Sequence, residues 1–194
     1  MLSAIVLAAG LSKRMGQPKM VLPWGETTVI GQVVKVIAQA GLEHIQVITG
    51  GARQQVEAAL QDLPARPVFN PRFLEDEMVF SLQVGLSQLP PEIDAALVAL
   101  GDQPQIEVDV VQAVVTTYRQ TGAPLVVPSY QLRRGHPWII ARCLWPAVMV
   151  LQPGETLRDM LNAHADQIAY LTVDTPSILR DLDTPADYAR DQPQ

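Results

Sequence analysis

The sequence predicts an α/β protein, a single domain with a largely parallel sheet. Three observations carry that expectation. Short apolar runs alternate with amphipathic helical patterns along the whole chain. One run, Ala95-Ala96-Leu97-Val98-Ala99-Leu100, is apolar on both faces, as a strand in the middle of a parallel sheet must be. The 194 residues are 48% hydrophobic and 18% charged, with no internal repeat or low-complexity linker, which suits one domain with a substantial core.

Ala4 to Leu7 reads as the first buried strand. Thr27-Thr28 can cap a helix from about Val29 to Gln39, whose apolar face is Val29, Val33, Val36 and Ile37, and Gly41 marks its end. Ile45 to Thr49 is the second strand, and Gly50-Gly51 turns it into a helix bearing Val56, Ala59 and Leu60. Pro67-Val68-Phe69 is a short strand ending at Asn70-Pro71. Arg72 to Val79, with Glu75, Asp76 and Glu77, reads as an irregular surface segment before a helix from Phe80 to Leu89. After the Ala95–Leu100 strand, Val110 to Tyr118 is a helix closed by Gly122, and Pro124 to Pro128 is a strand. Ser129 to Arg134 reads as a polar connection to Gly135-His136-Pro137, with the apolar Trp138-Ile139-Ile140 beyond. Short helices are expected around Leu144 to Leu151 and Leu157 to His164, and a late strand from Ile168 to Val173. Ser177 to Asp183 reads as extended, Thr184-Pro185 as the start of a last helix, and the tail from Asp191 as frayed.

The net charge of −6 argues against nonspecific binding to nucleic acid or an anionic membrane. No apolar stretch is long enough to cross a bilayer. Basic residues follow the first apolar run rather than precede it, the wrong order for a signal peptide, so the expected location is the cytoplasm. The single cysteine, Cys143, rules out an internal disulfide and a cysteine zinc site, and its apolar neighbours suggest a small buried residue.

The chemistry centres on Leu7-Ala8-Ala9-Gly10-Leu11-Ser12-Lys13-Arg14-Met15-Gly16-Gln17-Pro18-Lys19. Small residues after a buried strand let the backbone turn and approach a ligand closely. Lys13, Arg14 and Lys19 bring three cations into a short loop of an otherwise acidic chain, a composition suited to a small polyanion such as a phosphate tail. The spacing is that of neither a Walker A loop nor a G-x-G-x-x-G fingerprint. Gly10–Lys19, Thr49–Gly51 and Gly101–Pro104 all follow strands, so in a parallel sheet they meet at the carboxyl edge.

Asp102 ends a fully apolar strand. It is either a turn or capping residue or a Mg²⁺ ligand beside the phosphate loop. In Arg180-Asp181-Leu182-Asp183-Thr184-Pro185, extended alternation puts both aspartates on one face, and either could reach the metal. Asp181 is the preferred one, because Asp183 is close enough to the last helix to serve its N-terminus. His136, between Gly135 and Pro137, is either a buried ring satisfied by backbone or a contact to a second substrate, with Arg133-Arg134 offering charge to its phosphate. His44 and His164 fall at element ends and read as surface residues. Ser81 reads as a helix cap and Asn70 as a turn residue unless they face the site, and no Ser-His-Asp or Cys-His nucleophile pattern stands out.

The loop matches L-A-A-G-x-S-x-R-M-G-x-x-K, about nine fixed positions. With Gly101-Asp102-Gln103-Pro104, Arg134-Gly135-His136-Pro137 and Asp181-Leu182-Asp183-Thr184-Pro185, the chain resembles the molybdenum-cofactor nucleotidyltransferase family over nearly its whole length, most closely the molybdopterin cytidylyltransferase branch. The resemblance implies a Rossmann-like three-layer fold with one antiparallel strand, spanning residues 1–190. Its N-terminal half would bind nucleotide and its C-terminal half the acceptor. It also implies Mg²⁺ as cofactor. Leu7, Ala8, Ala9, Gly10, Ser12, Lys13, Thr49, Gly50, Asn70, Ser81 and Gly101 would bind nucleotide; Lys19, Arg14 and Asp102 would be catalytic; Asp102 with Asp181 or Asp183 would hold metal; and Arg134, Gly135, His136, Pro137 and Arg158 would take the acceptor. Ala8-Ala9-Gly10 rather than Ala-Gly-Gly looks like the cytidylyl branch, so CTP and molybdopterin are the implied substrates, with a molybdoenzyme or its chaperone as a possible partner.

Three departures stand in or near the acceptor half. Glu77-Met78 replaces the usual Gly-Met, Leu132 stands where a Gly often precedes the Arg-Gly-His-Pro motif, and Gly154-Glu155-Thr156-Leu157-Arg158 matches G-D-x-G-x-R only loosely. They motivate one alternative, another phosphorylated acceptor such as a sugar phosphate, with CTP, GTP or UTP as donor. A non-catalytic nucleotide-binding or cofactor-delivery protein is an alternative of another class, against which the intact Arg14, Lys19 and Asp102 argue.

Overall fold

β1 (Leu2–Ala8) is the strand on which the other elements are built. The computed structural model describes residues 1–75 and 78–193. After the basic loop come a small hairpin, β2 (Pro23–Trp24) and β3 (Thr27–Thr28), then α1 (Val29–Gln39), β4 (Ile45–Thr49), α2 (Arg53–Ala59) and β5 (Arg66–Phe69). α3 (Met78–Ser87), β6 (Ala95–Leu100), α4 (Val108–Thr121) and β7 (Leu125–Tyr130) follow. The chain closes with β8 (Arg133–Arg134), β9 (Trp138–Ala141), α5 (Trp145–Met149), α6 (Leu157–Ala163), β10 (Ile168–Thr172) and α7 (Pro185–Asp191).

The main sheet has the order β10-β7-β9-β6-β1-β4-β5. β9 runs antiparallel to both of its neighbours, while the remaining pairs along this path are parallel. The expected α/β architecture with one antiparallel strand is therefore present, joined by the two-residue β8 along the end of β7. Alternation along β1 builds the three layers: Ala4, Val6 and Ala8 join Ile30, Val33 and Val111 on one face, and Ile5 and Leu7 join Phe80, Leu86 and Trp145 on the other. A third, smaller cluster joins Met15, Leu22, Trp24 and Val29 to Leu182, with Tyr188 packed against it.

Local chemistry explains the boundaries. The Thr28 hydroxyl accepts the Gly31 N–H at 3.1 Å and caps α1, and Thr184 caps α7 in a reciprocal box with Asp187. Gly122 ends α4 in the left-handed region at φ 61°.

Several local expectations need correction. Ser129–Arg134 is not an open connection. Ser129 and Tyr130 pair with Arg134 and Arg133, and Gln131 and Leu132 close the hairpin with φ of 49° and 64°. That geometry usually carries Asn-Gly, so the signal was missing. Residues 177–183 are not extended throughout, because Pro176–Leu179 forms a 3₁₀ turn started by Thr175, whose hydroxyl accepts the Ser177 N–H. Cys143 is exposed, since the 3₁₀ turn Arg142–Leu144 directs it outward. Asp191 is not frayed: it belongs to α7, pairs with Arg190 at 2.7 Å and accepts from Gln105. The expected surface segment from Arg72 holds a 3₁₀ turn at Phe73–Glu75, and α3 begins at Met78, while Asp76 and Glu77 lie outside the described residues.

Candidate active site

The carboxyl ends of β1, β4 and β6 bring the three expected loops together. The Gly51 N–H donates to Ala9 O at 3.3 Å and the Gly101 N–H to Leu7 O at 2.9 Å. Gly50 lies so close to β1 that a Cβ there would sit 2.4 Å from Ala9 O, which only glycine avoids. The basic loop folds on Ser12, at φ 51°. Its carbonyl accepts the N–H groups of Met15 and Gly16, and its hydroxyl accepts the Lys19 N–H at 3.2 Å.

A cleft of about 260 Å³ opens over these ends. Leu7, Ala9, Gly10 and Leu100 contribute the strand-end wall, and Met20, Phe73 and Met78 add apolar surface. Ser81, Arg14, Lys19, Asp102, Asp181 and Asp183 supply its polar lining. Gly10, Ser12 and Lys13 also border a second hollow of about 290 Å³, on the side of the loop toward Gly51.

Lys19 is the centre of the charge arrangement. It lies in a short 3₁₀ turn, is buried, and its Nζ reaches Asp102 at 2.5 Å and Asp183 at 3.1 Å. Burial alone would pull its pKa down, but Asp102 and Asp183 outweigh that and hold it above the ordinary lysine value. Arg14, mostly exposed, meets the other oxygen of Asp183 at 2.9 Å. Asp183 therefore does not serve the N-terminus of α7, where Thr184 and Asp187 form the cap. Asp181 accepts from Gln103 at 2.6 Å. Burial raises its pKa, the charge on Asp102 adds to the rise, and Gln103 pulls back.

Asp102 and Asp181 offer oxygen donors only, and the charge on Asp102 adds to the burial that raises Asp181, which suits a hard divalent cation. Among the described residues no three acidic, His or Cys side chains form a group that could hold a metal ion by themselves. Lys19 stands between Asp102 and Asp183 instead. That arrangement suits a metal completed by substrate phosphates, not one held by protein alone.

The other expected residues divide. Asn70, almost fully buried, donates its amide to the Ser81 hydroxyl at 3.1 Å, so both stand beside the cleft while Ser81 alone lines it. Ser81 is inside α3, not its cap. Ala8, Thr49, Gly50 and Gly101 shape the strand ends without lining the cleft. Arg134, Gly135, His136, Pro137 and Arg158 do not line it either. Arg134 donates to Tyr170 and, at 2.7 Å, to Asn162. Gly135 packs so tightly that a Cβ would lie 2.4 Å from Ile178 O, and the His136 N–H donates to that same carbonyl. The sequence reading missed Met20, Phe73, Met78 and Leu100 as lining and Gln103 as the partner of Asp181. Gln103 stood in the quoted Gly-Asp-Gln-Pro run, whereas nothing in the local pattern singled out Phe73.

His136 sits near Trp138, with ring centroids 6.4 Å apart, and burial lowers its pKa from 6.5 to about 4. It is neutral at pH 7. Between those values the unfolded chain binds more protons than the folded one, so stability is lost as pH falls. Urea unfolding at pH 7 and pH 5 should differ by about 1–2 kcal/mol more in the parent than in His136→Gln. Equal differences would place the acid sensitivity elsewhere.

Residues 4–181 match the family model described as the MobA-like NTP transferase domain. The molybdenum cofactor cytidylyltransferase of Escherichia coli K12 is 26% identical over 96% of this chain and 93% of its own. Nicotine blue oxidoreductase of Paenarthrobacter nicotinovorans is 30% identical over 79% of this chain and 77% of its own. The crystal structure of Rv0371c from Mycobacterium tuberculosis H37Rv, 28% identical, superposes with a TM-score of 0.86 over 97% of this chain and 96% of that one. Rv0371c is also known in complex with manganese, at a TM-score of 0.78.

Proposed function

Since this chain belongs to the MobA-like NTP transferase family and is a nucleotidyltransferase, we propose that it moves CMP from CTP to the terminal phosphate of molybdopterin, with Mg²⁺ as cofactor. The observation that carries the reading is the meeting of Lys19, Arg14, Asp102, Asp181 and Asp183 at the strand ends beside a small-residue loop.

The acceptor phosphate oxygen would attack the α-phosphorus in line. One P–O bond forms, the α–β bridge breaks, and pyrophosphate leaves with the bonding pair. The attacking oxygen is already anionic, so no protein nucleophile is required. Gly10 and its neighbours would seat the triphosphate. Lys19 and Arg14 would exchange carboxylate partners for phosphate oxygens and neutralise charge as it shifts toward pyrophosphate. Asp102, with Asp181 or Asp183, would hold Mg²⁺, which supplies further neutralisation of the phosphates. Ser81 and Asn70 would flank the nucleoside. The N-terminal half would thus serve the nucleotide, and Arg134, Gly135, His136, Pro137 and Arg158 the acceptor. The cytoplasm is the proposed location, and a molybdoenzyme or its chaperone the proposed recipient.

The departures at Leu132 and at Gly154–Arg158 favour one second reading, a sugar phosphate or other phosphorylated acceptor. Pyrophosphate release with CTP, GTP or UTP, each paired with molybdopterin or sugar phosphates, tests both. Release with CTP and molybdopterin is expected, and release only with another pair selects the second reading. Nucleotide binding without release under any pairing overturns transfer and favours a non-catalytic role.

A further inference from the structure

Gln103 is almost fully buried and follows Asp102 directly. Its Nε2 donates to Asp181 Oδ1 at 2.6 Å and reaches Ile178 O at 3.4 Å. That carbonyl also accepts the His136 N–H at 3.0 Å. In return, the Leu182 N–H donates to Asp102 O at 3.0 Å. Asp102-Gln103 and Asp181-Leu182 are thus tied twice, once through the main chain and once through the Gln103 amide. The main-chain bond and the burial of Leu182 fix the backbone of Asp181, but not the rotation of its carboxylate.

We infer that Gln103 is a positioning residue: its amide holds Oδ1 of Asp181 and leaves the second oxygen for a divalent cation shared with Asp102. Asp102 and Asp183 both contact the ammonium of Lys19, whereas Asp181 is held by a neutral donor. A neutral amide orients a carboxylate without cancelling its charge, which is what a metal ligand needs from its supporting partner. Through Ile178 O the same amide also joins the carboxylate segment to the Gly135–His136 turn outside the cleft. This inference rests on the metal-dependent reading above.

The test is Mn²⁺ binding followed by electron paramagnetic resonance, with and without CTP, in the full chain. Gln103→Met keeps the length of the side chain and removes the donor. It should weaken Mn²⁺ binding about 10–100-fold while leaving the unfolding midpoint near that of the parent. Asp181→Asn should weaken it comparably, and the double variant should lose no more than Asp181→Asn alone, because Gln103 acts through Asp181. If Gln103→Met does not fold, Gln103→Asn, one methylene too short, should show the same loss. Unchanged Mn²⁺ affinity in the variant that folds, or losses that add in the double variant, would overturn the inference alone. A parent protein showing no Mn²⁺ binding that Asp102→Asn removes would overturn the metal-dependent reading, and this inference with it.

Discussion

Lys19→Ala is expected to lower turnover about 10²–10³-fold, the scale of a preorganised charged group in a partly dry site. The Lys19 side chain is 11% exposed and its ammonium is already placed between two carboxylates, so it needs little reorganisation to meet a phosphate. The nucleotide KM should move less than kcat if the interaction tightens as charge passes to the leaving pyrophosphate. Stability should fall too. Removing one partner of a buried pair costs about 3–5 kcal/mol, but Asp102 and Asp183 are 16% and 32% exposed, which brings the expected loss to about 1–3 kcal/mol. Mg²⁺ should then raise the unfolding midpoint of the variant more than that of the parent, because the carboxylates have lost their internal cation. Steady-state kinetics and thermal unfolding with and without Mg²⁺ check both parts. An unchanged turnover would remove Lys19 from the chemistry.

Asp102→Asn should reduce turnover by about 10²-fold or more and raise the metal concentration needed for half-maximal rate. Its stability effect should be small, for a structural reason. Lys19 keeps Asp183, Asp181 loses the repulsion that helps raise its pKa, and the Asp102 carbonyl still accepts from Leu182. Lys19→Ala and Asp102→Asn thus differ in kind: the first weakens the fold and the reaction, the second mainly the reaction. An Asp102→Asn protein with parental activity at low metal would contradict the assignment of Asp102 to the cation.

Helix and strand periods, caps and turn glycines were legible because they are local. β4, β6 and α1 stand where the apolar pattern placed them, and Thr28 and Thr184 cap as their spacing predicted. The β7–β8 hairpin was not legible, because Gln131-Leu132 carries none of the residues that favour positive φ. Asp183 was misassigned because its neighbour Thr184 takes the cap, leaving the carboxylate to two cations more than 160 positions away in the chain. Gln103 gained its role only from the partner across from it.

By itself the amino-acid sequence determined the α/β alternation, the small-residue basic loop and the acidic strand end. These depend on residue type and spacing over a few turns of chain. The tertiary structure alone decided that Lys19 stands between Asp102 and Asp183, that Gln103 holds Asp181, and that Arg134 and His136 lie apart from the cleft. Each of these depends on the sheet order, which sets residues distant along the backbone side by side and gives a charge its partner.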